Sequence, residues 1–136
     1  MSLIFRLVLS AWLFSVAAHA QSDTITTKTG LQYIRLRAGT GEIIQKGQKL
    51  KVNYSGKFSN GKVFDSGKNF KFKLGEEGFI AAWDEAFGLM RKGEKGIFIA
   101  KPALAYGNQA LKNEDGEVIV PANSVLIFEV EVLEAK

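Results

Sequence analysis

The chain of 136 residues contains no cysteine, two prolines and one histidine. The lack of cysteine excludes a disulfide scaffold, a thiolate zinc site, a cysteine nucleophile and a thiol redox switch. The only histidine, His19, lies in an N-terminal segment that we predict is removed. The remaining chain then has no histidine for acid–base catalysis, for a serine–histidine triad or for a typical catalytic zinc site. The sequence therefore excludes thiol and imidazole chemistry from the remaining chain, and we expect no cofactor.

The excess of positive over negative charge is also small. The chain has 18 Lys+Arg and 14 Asp+Glu, a net charge of +4, and 46% hydrophobic residues. This composition is typical of a globular domain, and the length favours a single one. The lysines are scattered along the sequence, and no basic stripe with interleaved aromatic residues is present, so we expect no nucleic-acid partner.

The first twenty residues resemble a targeting signal. Arg6 is the only charged residue of Met1–Ala20, an apolar run follows it, and Ala18-His19-Ala20 has the small-x-small form of a cleavage site. The run, of about 12 residues, is shorter than a spanning helix requires. We therefore predict a signal peptide at 1–20, cleavage after Ala20, export to the periplasm or beyond the cell, and no membrane span afterwards. An uncleaved anchor or a buried helix remains the alternative.

The rest of the chain indicates mainly strands. Residues 21–46 are interpreted as a leader, flexible at 21–30, followed by a first strand at 31–37, and residues 47–136 as the functional domain. In Lys49–Phe58 apolar and polar residues alternate strictly, which is the pattern of a half-buried strand. Asn60-Gly61 then predicts a tight turn and an antiparallel return through 62–65, with another half-buried strand at 70–74.

Phe79–Met90 has a different period. Its large apolar residues recur every three or four positions, which predicts one short helix that closes at Lys92-Gly93. Strands are predicted again at 95–101 and 124–133, and Asp115-Gly116 marks a turn in the long segment between them. Because strands and helix do not alternate regularly, the pattern favours an α+β fold with a mostly antiparallel sheet.

Candidate catalytic groups are few. Asp84 and Glu85 are adjacent, so on a helix they point in different directions and do not form a carboxylate pair. The acidic segment at 113–117 lacks the ligand spacing and the closing glutamate of a calcium loop, which favours a solvated turn.

Aromatic residues are the most distinctive feature. Several fall at strand ends, beside turns or on the helix stripe: Tyr54, Phe64, Phe70, Trp83, Tyr106 and Phe128. A phenylalanine-rich core and an aromatic-walled pocket both explain them from pattern alone. Asp65 is unusual for a strand end, although aspartate is also common in turns.

A resemblance to a known family favours the pocket. The motifs that carry it are Val52-Asn53-Tyr54-Ser55-Gly56, Asn60-Gly61-Lys62-Val63-Phe64-Asp65-Ser66, Phe70-Lys71-Phe72-Lys73-Leu74-Gly75, Phe79-Ile80-Ala81-Ala82-Trp83-Asp84-Glu85-Ala86, Met90-Arg91-Lys92-Gly93-Glu94-Lys95, Pro102-Ala103-Leu104-Ala105-Tyr106-Gly107 and Val120-Pro121-Ala122-Asn123-Ser124-Val125-Leu126-Ile127-Phe128-Glu129-Val130. In these motifs, their order and their spacing, the chain resembles FKBP-type peptidyl-prolyl isomerases from about residue 47 to residue 133.

The resemblance implies an FKBP-like fold, a twisted antiparallel sheet of five to six strands wrapped around one short α-helix. It also implies a proline-binding pocket with Trp83 as its floor. The implied walls are Tyr54, Phe64, Phe70 and Phe128, and the implied rim is Phe79, Ile80 and Val120. In such a pocket the Ile80 backbone N–H and the Tyr106 hydroxyl bond to substrate carbonyls, and Asp65 orients or polarises the bound amide.

The implied activity is peptidyl-prolyl cis–trans isomerisation in the folding of exported proteins. This chemistry rotates a bond and breaks none, so it needs no nucleophile or metal. Macrolides such as rapamycin are further candidate ligands, and we expect a monomer. The alternative is a non-catalytic chaperone or peptide-binding module of the same fold. It is motivated by Phe79, which replaces a smaller residue at the rim, and by the long loop at 108–120.

Overall fold

The computed structural model describes residues 23–136, and the predicted signal peptide at 1–20 lies outside the described residues. The described part contains ten strands, the α-helix α1 (Ala81–Phe87) and a short 3₁₀ helix at Pro102–Leu104. The strands are β1 (Asp23–Thr26), β2 (Gln32–Arg37), β3 (Thr40–Ile43), β4 (Lys49–Phe58), β5 (Val63–Lys73), β6 (Arg91–Lys92), β7 (Lys95–Ala100), β8 (Leu111–Lys112), β9 (Val118–Val120) and β10 (Leu126–Ala135).

Six of the strands form one sheet in the order β1-β2-β7-β10-β4-β5. Every neighbouring pair in this sheet is antiparallel. Two small two-stranded sheets, β3-β6 and β8-β9, complete the described part. The predicted α+β class, with an antiparallel sheet of five to six strands and one short helix, is confirmed.

The core lies between the inner face of the sheet and α1. Trp83 and Phe87 of α1 are buried, and their rings contact the Phe72 ring of β5 with centroids 5.3 Å away in both cases. Phe87 also meets Phe98 of β7 at 6.1 Å. The helix thus contributes aromatic side chains to both halves of the sheet, which fixes its position over the inner face.

The alternation in β4 produces the predicted two-faced strand. Leu50 and Val52 are buried on the inner face, whereas the lysines between and beside them lie on the outer face. Gly61, with φ of +86°, turns the chain into β5, as the Asn-Gly pair predicts. The return and the later half-buried segment are one continuous strand, β5. Two register shifts, between Val52 and Tyr54 and between Gly56 and Lys57, each add one residue on the β5 side.

Two boundaries differ from the sequence prediction. Residues 23–26 form β1 and pair with β2, instead of belonging to a flexible leader. The helix ends at Gly88 rather than at Lys92-Gly93. Beyond it, the Leu89 N–H donates to the Ala86 carbonyl and the Met90 N–H to the Phe87 carbonyl, at 3.0 and 3.2 Å. These tighter i−3 bonds keep Met90 in the core, so the apolar stripe continues after the helix has stopped.

The acidic segments have structural roles. Asp84 accepts the Gly75 N–H at 3.1 Å, whereas Glu85 accepts the Thr29 hydroxyl at 2.6 and 2.8 Å. The two carboxylates therefore point apart, as predicted for neighbours on a helix. Near the predicted turn at Asp115-Gly116, the Asn113 side-chain oxygen accepts two backbone N–H groups in a hairpin that joins β8 to β9. In the part of the chain that the structure describes, no helix is long and apolar enough to cross a membrane.

Candidate functional site

A small aromatic pocket opens between α1 and the inner face of the sheet. Its volume is about 170 Å³. Ten residues line it: Tyr54, Phe64, Asp65, Phe70, Gly78, Phe79, Ile80, Trp83, Tyr106 and Phe128. The lining combines aromatic rings with one carboxylate and one exposed phenol. Such a lining suits a ligand whose apolar group enters the pocket and whose polar groups lie beside it.

Trp83 forms the floor of the pocket. Its side chain is 6% exposed and projects from the first turn of α1. The Tyr54 and Phe128 rings meet it edge-on, with centroids 5.2 and 5.8 Å away, and the Phe79 ring stacks on it at 5.5 Å. Contacts from several directions fix the indole, so the floor is preorganised.

A glycine in β4 makes room for two of the walls. A Cβ atom placed on Gly56 would lie 2.8 Å from both Phe128 Cε1 and Phe64 Cζ. The two rings meet edge-on over this gap, with centroids 5.8 Å apart. Phe128 also stacks on Phe98 behind it at 4.9 Å. Any larger residue at position 56 would push the walls into the pocket, which explains the glycine in a strand interior.

The polar side of the pocket contains a hydrogen-bonded pair. The Tyr54 hydroxyl donates to Asp65 Oδ2 at 3.1 Å across the β4–β5 hairpin. Gly67, opposite Tyr54 in the ladder, lets the ring lie against the strand, since a Cβ atom there would come within 2.7 Å of Tyr54 Cε1. The hairpin thereby holds the carboxylate beside the aromatic cup.

The Asp65 carboxylate and burial both raise the pKa of the two pocket tyrosines. Burial, followed by the charge of Asp65 and the hydrogen bond to it, raises the pKa of Tyr54 to about 12. Burial and the same carboxylate also raise the pKa of Tyr106. Both phenols therefore stay protonated at neutral pH and can donate hydrogen bonds in the pocket.

The raised pKa of Tyr54 predicts an alkaline loss of stability. Below pH 10, the usual tyrosine pKa, its contribution is fully present; it declines as the pH rises towards about 12, because the unfolded chain releases the proton first. We expect the stability difference between the parent and Tyr54→Phe to shrink over this interval. Denaturant unfolding of both proteins measures it, and a difference independent of pH would contradict the assignment.

Two further polar groups belong to residues of the pocket lining, Ile80 and Tyr106. The Ile80 backbone is extended, with φ of −66° and ψ of 152°, directly before α1. No group from residues 23–136 accepts a hydrogen bond from its N–H. The Tyr106 side chain is 36% exposed in the loop after the 3₁₀ helix. Both donors are therefore free to bind a ligand carbonyl.

Nine of the ten site residues predicted from the sequence lie in this pocket, and Val120 does not. Val120 is 1% exposed, pairs with Leu111 in the β8–β9 hairpin and packs in the core. Its place at the rim therefore stays a prediction. Sequence analysis missed Gly78, which lines the pocket with φ of +100°. Its position before Phe79, where the chain turns into the helix, is the signal that could have identified it.

Other concave surfaces have a different character. Two of them, of about 500 and 430 Å³, lie on the outer face of the sheet and are lined mainly by polar and charged side chains. Among residues 23–136, no group of three or more potential ligand side chains could hold a metal ion. The aromatic pocket is therefore the best candidate for the site.

Comparison with known proteins identifies the family. Residues 40–133 match the sequence profile of the FKBP-type peptidyl-prolyl cis-trans isomerase family. A probable FKBP-type peptidyl-prolyl cis-trans isomerase of Haemophilus influenzae is 41% identical over 116 residues, which cover 82% of this chain and 45% of that protein. FK506-binding protein 4 of Mycosarcoma maydis is 43% identical over 120 residues, 85% of this chain and 30% of that protein. The chain thus spans less than half the length of these relatives.

Solved structures agree with this result. The crystal structure of AtFKBP13 superposes with a TM-score of 0.74 at 33% identity and covers 84% of this chain and 99% of that one. The crystal structure of FkpA from Escherichia coli gives 0.71 at 36% identity, covering 83% of this chain and 51% of that one. The chain belongs to the FKBP-type peptidyl-prolyl cis-trans isomerase family.

Proposed function

We propose that the pocket binds the prolyl ring of an Xaa-Pro segment and accelerates its cis–trans isomerisation. The observation that carries this proposal is the aromatic cup, closed by Trp83 and flanked on one side by Asp65 and Tyr106. Family membership supports the activity, and the geometry supports the location.

The size of the pocket fits one side chain. A volume of about 170 Å³ equals the share of roughly six water molecules in the liquid, less than a drug-sized ligand fills. A prolyl ring entering the cup would displace this water and contact rings on several sides. The preceding carbonyl and the Xaa-Pro amide would then lie at the mouth, near the polar groups.

The chemistry of the barrier explains why such a site suffices. The planar amide is stabilised by resonance, and rotation costs about 18–20 kcal/mol. Twisting removes that charge separation, so an apolar pocket that excludes water disfavours the planar ground state relative to the twisted transition state. We assign hydrogen bonds to substrate carbonyls to the Ile80 N–H and the Tyr106 hydroxyl, and orientation of the amide to Asp65.

The test is the exchange rate of a short Leu-Pro or Phe-Pro peptide, measured by NMR with catalytic amounts of the protein. We expect acceleration by the parent, and a decrease of about fivefold to tenfold in kcat/KM for Asp65→Ala and for Tyr106→Phe, because each loses about 1 kcal/mol of hydrogen bonding. Asp115→Ala, an exposed aspartate of the β8–β9 hairpin, is the matched control and should retain full activity. If the folded parent gives no acceleration, the proposal is wrong.

A second candidate function is peptide binding without catalysis. Phe79 stacks on Trp83 and contacts the rings of Phe70 and Phe72, so it narrows one side of the cup. A non-catalytic chaperone would suppress aggregation of an unfolded protein while leaving peptide exchange unchanged. Phe79→Val separates the two functions. The substitution should change the peptide exchange rate only if the protein is an isomerase.

For the biological setting, we propose that the substrates are proline-containing segments of exported proteins, in the periplasm or outside the cell, and that the protein acts as a monomer. The signal-like residues 1–20 support export. The names of relatives as FK506-binding proteins support macrolides, including rapamycin, as ligands of the same pocket. Such a molecule is larger than the cup and would also cover its rim.

A further inference from the structure

A groove on the outer face of the sheet concentrates positive charge. We name it the lysine groove, and define it by five lysines, at 49, 51, 71, 73 and 136, and two glutamates, at 76 and 134. Its volume is about 430 Å³, and the buried side chains of Leu50 and Phe72 lie beneath it. The groove is on the opposite side of β4 and β5 from the aromatic pocket.

The lysines face one another in register. Lys49 pairs with Lys73 and Lys51 with Lys71 across the β4–β5 ladder. The Leu74 N–H donates to the Gln48 carbonyl, so by alternation these lysines occupy the non-hydrogen-bonded pairs, where opposite side chains lie closest. Like charges in that arrangement repel and destabilise the sheet. Two such lysine pairs lie next to each other in this ladder despite their repulsion.

Charge balance elsewhere on the outer face makes this groove an exception. Arg37 pairs with Glu131 at 2.7 Å, and Lys95 with Glu129 at 3.4 Å. In the groove, Glu134 lies 3.8 Å from the Lys51 amine, and the Glu76 carboxylate accepts the Lys73 backbone N–H. Among their side chains, five lysines and two glutamates leave an excess of three positive charges. Residues 23–136 contain 17 Lys+Arg and 14 Asp+Glu, so this excess equals that of the whole described part.

Protection of the sheet edge does not explain the groove. Lysines on an edge strand such as β5 discourage pairing with other chains. However, Lys49 and Lys51 belong to β4, an interior strand, and Lys136 follows β10, the next strand inward. The positive surface therefore spans three strands, which is more than edge protection needs.

We propose that the lysine groove binds extended polypeptide segments rich in aspartate and glutamate. Lysines two residues apart on each strand repeat every ~6.7 Å, and alternate carboxylates of an extended peptide repeat with the same period. The groove's apolar side chains, Leu50 and Phe72, are buried, so it offers no exposed aromatic for base stacking and no apolar anchor for a lipid surface.

The groove and the aromatic pocket act on different parts of a chain. Asp65 and Phe70 of β5 line the pocket, whereas Lys71 and Lys73 of the same strand line the groove. An acidic segment on the outer face leaves the pocket open. Binding therefore requires no proline and stands independently of the isomerase activity.

The test uses a fluorescent oligo-glutamate peptide without proline, titrated with the purified full chain and followed by anisotropy. Lys49, Lys51, Lys71 and Lys73 are replaced together by glutamine. The matched control replaces four exposed lysines elsewhere, Lys28, Lys62, Lys92 and Lys112, and removes the same charge. We expect the groove variant to weaken binding by about tenfold or more and the control by about twofold or less, with affinity falling as salt rises.

A stability measurement shows that a loss of binding is not a loss of fold. Because the groove variant removes two repelling pairs, we expect its Tm to exceed that of the parent and its isomerase activity to be unchanged. Equal weakening in both variants, or no binding by the parent, would overturn the proposal. Groove-dependent binding to phosphatidylglycerol vesicles or to single-stranded oligonucleotides, without binding to the peptide, would also overturn it.

Discussion

Replacing Trp83 with alanine should both destabilise the fold and abolish most of the proposed isomerase activity. The indole is 6% exposed and meets the rings of Tyr54, Phe79 and Phe128 on the pocket side. Truncation of a buried tryptophan costs about 3–5 kcal/mol, a large part of the stability of a domain of this size. We expect kcat/KM to fall by about tenfold or more, since each 1.4 kcal/mol of lost transition-state stabilisation is tenfold.

Phe87→Ala is the matched control for this prediction. Phe87 lies one turn further along α1, is fully buried and contacts Trp83 at 5.2 Å, but does not line the pocket. It should lose about as much stability in urea unfolding, 3–5 kcal/mol. At a temperature where both variants are folded, it should keep most of its activity. If both variants lose activity equally, Trp83 acts through packing and the assignment of the pocket floor fails.

The strand pattern was predictable where one face is buried and the other is solvated. Alternation in β4 and the Asn-Gly turn identified the β4–β5 hairpin, because a shift of one residue would expose Leu50 and Val52. The same reasoning missed β1. Residues 23–26 contain one large apolar residue, Ile25, which packs against the core, and a single apolar position does not establish a period.

The helix shows a different limit. Apolar periodicity predicted a segment through Met90, and Met90 is indeed buried, but the helix itself stops at Gly88. Periodicity records which side chains face the core, and a tight turn after the helix satisfies the same pattern. The end of the hydrogen-bonded helix was therefore not available from the apolar positions alone.

For the site, the resemblance predicted which residues are near the pocket, but not which way each side chain points. Phe64, Asp65 and Phe70 line the pocket as predicted. Val120 lies outside this lining, because the hairpin from 111 to 120 turns that side chain into the core and leaves Ile119 exposed. Gly67 was missed as well, since its role is the room it leaves for Tyr54, and that is a property of the ladder register.

Gly96→Ala should be among the most destabilising single-methyl substitutions in the chain. Gly96 is buried in β7, and a Cβ atom there would lie 2.5 Å from both Cε2 and the hydroxyl oxygen of Tyr33. Tyr33 is fully buried and donates its hydroxyl to Glu94, which is 1% exposed. Burial and this carboxylate raise the pKa of Tyr33. We expect a loss of about 3 kcal/mol or more in urea unfolding, combining overpacking with a weakened hydrogen bond to a buried carboxylate.

The ring of Tyr33 is the cause of this expected loss, and a double-mutant cycle tests it. Tyr33→Leu removes the atoms that the new methyl group would meet, at the cost of the bond to Glu94. In that background Gly96→Ala should cost less than about 1 kcal/mol, so the two substitutions should couple by about 2 kcal/mol. Equal costs in both backgrounds would show that strand β7 excludes a side chain at position 96 for another reason. Arg35 lies 3.4 Å from the same carboxylate and over the Tyr33 ring, 5.9 Å from its centroid. Tyr33→Leu removes the ring contact whether or not position 96 is substituted, so this loss cancels in the cycle.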